Sequence, residues 1–514
     1  MSTNTLSVHP ENPRCFLFRG KPFRILTSAE HYGAVLNGAF DYDVYLEEMA
    51  RTGQNGTRVF TFYREEGDRD VPSIGYANTL APAPSAAVMP WQRVEGQGDA
   101  PDGLPRFDLD RWNDAYFQRL KAYVRACDRH GVVCEIVLFC NPYDQRRLDL
   151  FPCSPLSNVN GVGGDLTGPG SFMSLDAPSI VAFQERFITK IVSELNEFDN
   201  VYYEICNEPT AGPGQDPIER APKIAAWHRH LARAIREAER GLPRRHLVAA
   251  NLHLRTPARD AGSTSKSPSD LVVRHDEEGL ASFAEIDVIN YHYISSMATV
   301  RGTRFVRLPG PSREAGLLWA FMRARDDIGK PIVFDETYTG VIHSAPERYP
   351  VTRAEAWETM LSGGAGYSSL DWSFTPKDPS GSGHAPIDDG RRLDGRSLRE
   401  WLNVLRGVLK DTDLGTLAPA DGLLARPPSQ YGTAASVDGR GVCLLYLVDE
   451  RVYWMATPEP RALTLRLNLP TGTHKVRAID PCSGGVTELP AVAGGRDVAV
   501  TLPAFTEDIA LMIE

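Results

Sequence analysis

Two short apolar runs in this chain end in a carboxylate. Val201-Tyr-Tyr-Glu-Ile-Cys-Asn-Glu-Pro209 is the first, and Pro331-Ile-Val-Phe-Asp-Glu336 is the second. In the first run β-branched, aromatic and Cys residues dominate as far as Cys206, which suits a buried strand. Pro209 then stops it, because proline has no N–H to give to a ladder. Glu208 and Glu336 are thereby predicted at the C-terminal lips of two strands, where parallel α/β barrels keep their chemistry. Two carboxyl groups facing each other can divide acid and nucleophile, or acid and base, between them.

That division suits a glycosidic bond. One carboxylic acid protonates the leaving oxygen, and a second carboxylate attacks the anomeric carbon or activates water. Glu208 fits the first role and Glu336 the second, with the Asn207 amide able to reach a sugar 2-hydroxyl. Arg58, in Asn55-Gly-Thr-Arg-Val-Phe60, would keep Glu336 ionised, since a nearby cation favours the charged carboxylate. Tyr291 or Tyr293 would hydrogen-bond the same group, and Trp372 would floor the sugar ring. His31, Asn141 and His292 also fall at predicted strand ends and join the candidates. Each of these supporting residues has an alternative reading as a cap or a packing residue.

The elements that must position them alternate. A hairpin around Gly20 leads into a first strand ending at Ser28-Ala-Glu-His-Tyr32. Further strands are predicted at Gly56–Phe62, Val132–Phe139, Val201–Cys206, His246–Asn251, Ile286–Tyr293, Pro331–Glu336 and Ala365–Trp372. Helical periods are predicted over Asp43–Thr52, Leu109–His130, Pro178–Phe198, from Pro222 to about Arg240, Ala315–Ile328 and Arg353–Ser362. Eight strands with helices between them predict an α/β chain, a (β/α)8 barrel over roughly 16–410. Two Pro- and Gly-rich stretches, 63–106 and 141–175, are expected to wall the mouth, and Tyr76 and Trp91 in the former either stack on a ligand or pin the loop. Beyond Asp411 the period changes to two, in short runs separated by turns such as Pro470-Thr-Gly-Thr473. A small antiparallel β-sandwich is predicted, with domains at 1–412 and 413–514 and a supporting role for the second.

Composition narrows the function. The net charge of −11 argues against a nucleic-acid groove. The eight cysteines form no Cys-x-x-Cys pair and are expected as buried thiols, without zinc or disulfides. Gly161-Val-Gly-Gly164 lacks the strand and helix that a phosphate loop needs. No apolar run reaches the ~20 residues of a membrane span, and the first residues show neither a basic start nor an apolar stretch. A soluble, cytoplasmic protein acting on a carbohydrate, without metal or organic cofactor, is the expectation.

With these residues in place, the chain resembles the retaining glycoside hydrolases of clan A, the cellulase- and mannanase-like (β/α)8 enzymes. Asn207-Glu208-Pro209, Glu336, Arg58 and Trp372 carry the resemblance over roughly 16–410. It implies Glu208 as acid/base, Glu336 as nucleophile and Asn207 as the 2-hydroxyl contact. His292 and Tyr293 match the His/Tyr cluster of the sixth strand, with a register that can slip because Tyr291-His-Tyr293 is repetitive. Cys140-Asn141 stands where many members carry a His. The alternative is a non-catalytic carbohydrate-binding or scaffold protein on a decayed barrel. The sugar, the linkage, internal or terminal attack and the oligomeric state are not legible at this level.

Overall fold

The structure is a computed structural model that describes residues 5–63, 79–209, 217–252, 279, 282–292, 317–323, 325–337, 349–382, 395–454 and 458–514. Its centre is an eight-stranded parallel sheet: β1 (Ile25–Ala29), β2 (Gly56–Phe60), β3 (Val133–Cys140), β4 (Val201–Asn207), β5 (Val248–Asn251), β6 (Val288–His292), β7 (Ile332–Thr337) and β8 (Gly366–Leu370). The order is β1-β8-β7-β6-β5-β4-β3-β2, so chain neighbours are sheet neighbours all the way round. Side chains close the remaining seam between β1 and β2. Asn55 accepts from Leu26 N at 2.7 Å and donates to Arg24 O, and Gln54 accepts from Ser28 N at 2.9 Å. Gly56 lets the two strands approach, since a Cβ there would lie 2.6 Å from Ile25 Cγ2. The result is the predicted (β/α)8 barrel.

Outside it lie α1 (Tyr42–Arg51), α2 (Asp114–Arg129), α3 (Pro178–Leu195), α4 (Pro217–Ala238), α5 (Leu317–Arg323), α6 (Tyr349–Leu361) and α7 (Gly395–Lys410). The hairpin predicted around Gly20 is present, its Arg19-Gly20 turn at φ 51° and 75°. Phe16 of this hairpin packs with Ile25, Val133, Tyr202, Val288 and Val333, and so plugs the N-terminal end of the barrel.

Two local expectations are corrected, and a choice left open at Trp91 is decided. The helix predicted from Leu109 starts at Asp114, because Phe107–Trp112 instead pairs antiparallel with Trp91–Arg93 and Asn113 caps the helix. Helix α4 begins before Pro222, which sits inside it and forfeits one intrahelical bond. Trp91 is buried among Phe62, Trp112, Phe183 and Phe187, so it pins its loop and does not face a ligand. Tyr76 lies outside the described residues. All eight cysteines are free, and all but Cys482 are buried.

The C-terminal sheet comprises β9 (Ala418–Pro419), β10 (Tyr431–Val437), β11 (Cys443–Asp449), β12 (Thr464–Ile479), β13 (Val486–Thr501) and β14 (Asp508–Ile513), in the antiparallel order β9-β10-β11-β14-β12-β13. Register shifts interrupt the long β12/β13 pair. Leu465 and Leu467 of β12 share a core with Leu445, Leu447 and Leu511, as the predicted sandwich requires. Helix α6 joins this module to the barrel and is buried on every side from Val351 onward. Trp357 stacks on Tyr446 with ring centroids 5.2 Å apart, and Arg353 forks onto Asp508 at 2.8 and 2.9 Å. Tyr446, Val448 and Met512 accordingly belong to the barrel's own hydrophobic cluster.

Candidate active site

At the C-terminal ends of β2, β4, β6 and β7 the side chains of Arg58, Asn207, Glu208, His292 and Glu336 converge. Glu208 stands just past β4 in the left-handed region, φ 46°, a conformation that costs a non-glycine residue and persists where surroundings enforce it. The enforcing contacts come from the end of β3. Asn141 Nδ2 donates to Glu208 O at 3.0 Å, and the Tyr143 hydroxyl donates to Glu208 Oε2 at 2.6 Å. Asn141 Oδ1 in turn accepts from Tyr143 N at 2.9 Å, with Tyr143 itself at φ 57°.

Glu336 arrives differently. Neighbouring strand residues normally point to opposite faces, yet Asp335 and Glu336 both reach the barrel interior. The β6–β7 and β7–β8 registers shift at this point, where His292 pairs with Glu336 and Thr337 with Ser369, a bulge that turns Glu336 inward beside Asp335. Arg58 Nη1 donates to Glu336 Oε1 at 2.9 Å, and its Nη2 donates to Asn207 Oδ1 at 2.9 Å. The same guanidinium lies over the Tyr32 ring, 4.8 Å from its centroid.

His292 sits between the two glutamates, with Nδ1 3.1 Å from Glu208 Oε1 and 3.4 Å from Glu336 Oε2. Its Nε2 lies 3.4 Å from Asp335 Oδ1. Burial alone would push the imidazole pKa down, but the charges of Glu336 and Asp335 outweigh it and raise the pKa well above the ordinary value. One oxygen from each glutamate and one ring nitrogen of His292 all lie within 4.8 Å of one another. Glu208 is the more open carboxylate, 16 % exposed against 3 % for Glu336. A Glu–His–Glu group of this spacing also has the donor set of a divalent-cation site, as does Cys482–Glu507–Asp508, where Arg353 already occupies the two acids.

A second layer of acids lies below. Glu204 accepts from Arg58 Nε at 3.0 Å and Nη2 at 2.5 Å, while Asp335 and Glu135 stand 3.3 and 3.6 Å from the same guanidinium. Asn290 Nδ2 faces all three, at 2.6 Å from Glu135, 3.0 Å from Asp335 and 3.3 Å from Glu204. Desolvation raises Glu204 to about 7 and Glu135 well above the carboxylate range; burial opposes ionisation of Asp335 too, but Arg58 and His292 hold it low.

The structure thus gathers Glu208, Glu336, Arg58, Asn207, Asn141 and His292 of the candidates. His31 stacks on Trp372, with centroids 4.9 Å apart and planes 16° apart, so one face of that indole is already covered. Tyr291 is not brought to the carboxylates: its hydroxyl accepts from Arg325 Nε at 3.1 Å and its ring packs on Phe321, in the helix layer. Strand alternation explains this, because His292 and Asn290 take the inward positions on either side. Tyr293 lies outside the described residues. Tyr143, Glu135, Glu204, Asn290 and Asp335 were missed. Period two along Val133–Cys140 and Val201–Asn207 places Glu135 and Glu204 on one strand face, the signal that was available for that pair.

No protein-family model matches the chain, and no curated protein matches it in sequence. Solved structures do. A glycoside hydrolase family 5 structure from Bacteroides vulgatus ATCC 8482 is 12 % identical, with TM-score 0.59 over 99 % of this chain and 92 % of that one. A structure described as a putative glycoside hydrolase from the same organism is 14 % identical, with TM-score 0.60 over 100 % and 82 %. A third, described as a glycoside hydrolase, is 13 % identical, with TM-score 0.59 over 100 % and 97 %. At such identities the likeness is one of fold: the chain shares the overall (β/α)8-barrel fold of these glycoside hydrolase structures.

Proposed function

We propose that the protein is a retaining β-glycosidase that works by double displacement, with Glu336 as nucleophile and Glu208 as acid/base. The observation that carries this reading is the closeness of the two carboxylates, one oxygen of each lying within 4.8 Å of one of the other. Retaining enzymes hold their carboxyl groups about 5–5.5 Å apart, whereas inverting ones leave about 6.5–9.5 Å for a water. In the first step Glu336 Oε2 bonds to the anomeric carbon while the bond to the leaving oxygen breaks and Glu208 gives that oxygen its proton. In the second, Glu208 takes a proton from water, the water oxygen bonds to the anomeric carbon, and the ester to Glu336 breaks.

The surroundings support that division. Arg58 ties Glu336 Oε1, and Oε2, which has His292 Nδ1 3.4 Å away, is the oxygen assigned to attack. Tyr143 ties Glu208 Oε2 and fixes the direction of the acid. The Asn207 amide spends one N–H on the Tyr143 oxygen and the other on Cys140 Sγ, a weak acceptor that a sugar 2-hydroxyl would displace. Aryl β-glycosides with a good leaving group test the reading through proton NMR of the first-formed sugar. The β-anomer is expected to appear first and then mutarotate. The α-anomer first would mean inversion and would overturn the covalent step.

A further inference from the structure

Glu135, Glu204 and Asp335 are three acids that the displacement itself does not use. One oxygen from each lies within 4.8 Å of the others, and all three side chains are buried. The groups that face them can be named from every strand around: Arg58 on β2, Tyr202 on β4, and Asn290 and His292 on β6, with Glu336 beside Asp335 on β7 and Tyr32 packed on Arg58. Among the described residues one guanidinium therefore meets four carboxyl groups, and one imidazole supplies the other cation. Four full charges cannot be carried here by two cations in a buried setting, where each uncompensated charge is severely penalised. The Asn290 amide has two hydrogens for three acids, Asp335 Oδ1 faces His292 Nε2 at 3.4 Å, and Glu204 Oε1 is a buried oxygen without a hydrogen-bond partner among the described residues.

We propose that Glu135 is a positioning residue that acts as a neutral acid, its proton kept beneath Arg58 so that the guanidinium charge remains available to Glu336 and Asn207. The inference rests on the function proposed above for what Arg58 positions, but the proton itself does not. Burial of Glu135 next to Asp335 and Glu204, which opposes its ionisation, points the same way.

The neutral isostere decides it. Glu135→Gln keeps the acceptor for Asn290 and cannot ionise, so kcat should stay within about threefold of the native chain, whereas Glu135→Ala should lower kcat about tenfold or more with KM nearly unchanged. A Gln variant as impaired as the Ala variant would show that ionised Glu135 is needed, and would overturn the proposal. Infrared difference spectra read the proton without any turnover. In a Glu30→Gln, Glu208→Gln background at about pH 7, where the protonated Glu30 no longer contributes, the carbonyl stretch of a protonated carboxylic acid should be present, and adding Glu135→Gln should remove or shift it. Absence of that band in folded protein contradicts the proposal even if the glycosidase reading stands. Its presence in a chain that hydrolyses no glycoside would leave the proton in place and remove the function.

Discussion

Tyr143 is the residue through which the end of the third strand reaches Glu208, the proposed acid. Its hydroxyl is the donor to Glu208 Oε2, and a hydrogen bond to a charged group contributes about 1.5–3 kcal/mol. Tyr143→Phe should accordingly lower kcat roughly ten- to a hundredfold, most for substrates with poor leaving groups, and move the alkaline limb of the pH–rate profile, which the acid Glu208 sets, to higher pH. A Phe variant with native kinetics on alkyl and aryl glycosides alike would remove Tyr143 from the machinery. Glu30 offers a test by pH. Burial raises its carboxyl to about 8, against backbone N–H donors at Gly33 and Ala34 that pull it down. The folded state then holds a proton that the unfolded state releases from about pH 4.5 upward, so this stability is lost as pH rises toward about 8. Glu30→Gln should gain thermal stability over the native chain across that window; a difference independent of pH would contradict the assignment. Of the candidate residues, Glu208 and Glu336 were legible because each closes an apolar run. Tyr143 was not, since its reach to Glu208 depends on a left-handed backbone that no spacing reveals.

Among the elements, β7 and α6 carry the most. Val333 packs among the interior residues and Phe334 on Phe321 in the helix layer. A strict period of two therefore sends Asp335 inward and would send Glu336 outward; the register shifts at this point bring Glu336 in as well. The inner acid Asp335 was therefore legible from period two, and it was passed over because Glu336 closes the run. The start of α2 was misread for a different reason: Leu109 to Trp112 fits a helical stripe as well as a strand, and its partner Trp91–Arg93 is remote in sequence. Helix α6 is buried from Val351 onward, so Arg353 has to be paired, and it is paired with Asp508 of the C-terminal sheet. Removing one partner of a buried ion pair costs about 3–5 kcal/mol. Arg353→Ala should lose about that much in denaturant unfolding while kcat at a permissive temperature stays native. A loss below about 1 kcal/mol would mean that the junction is a surface contact in energetic terms.

For the whole molecule, the barrel and the C-terminal sheet share one hydrophobic cluster, running from Trp357 and Val351 into Tyr446, Val448 and Met512. The architecture changes between Lys410 and Ala418, near the predicted boundary, but the core does not stop there. A chain ending at residue 412 should therefore fail to unfold cooperatively or should aggregate, because the α6 face would be exposed; a monomeric, cooperatively folding barrel would contradict the supporting role of the sheet. The eightfold alternation made the barrel legible, while the shared core was not, because apolar residues on β11 and β14 read the same whichever layer they meet. The central claim concerns what the barrel mouth does, and trapping tests it most directly. The chain is treated with a panel of 2-deoxy-2-fluoro β-glycosyl fluorides, which slow breakdown of a glycosyl ester more than its formation, and the peptides are then analysed by mass spectrometry. The account predicts one sugar on Glu336. A label on any other carboxylate, or none from any sugar in folded protein, would contradict it.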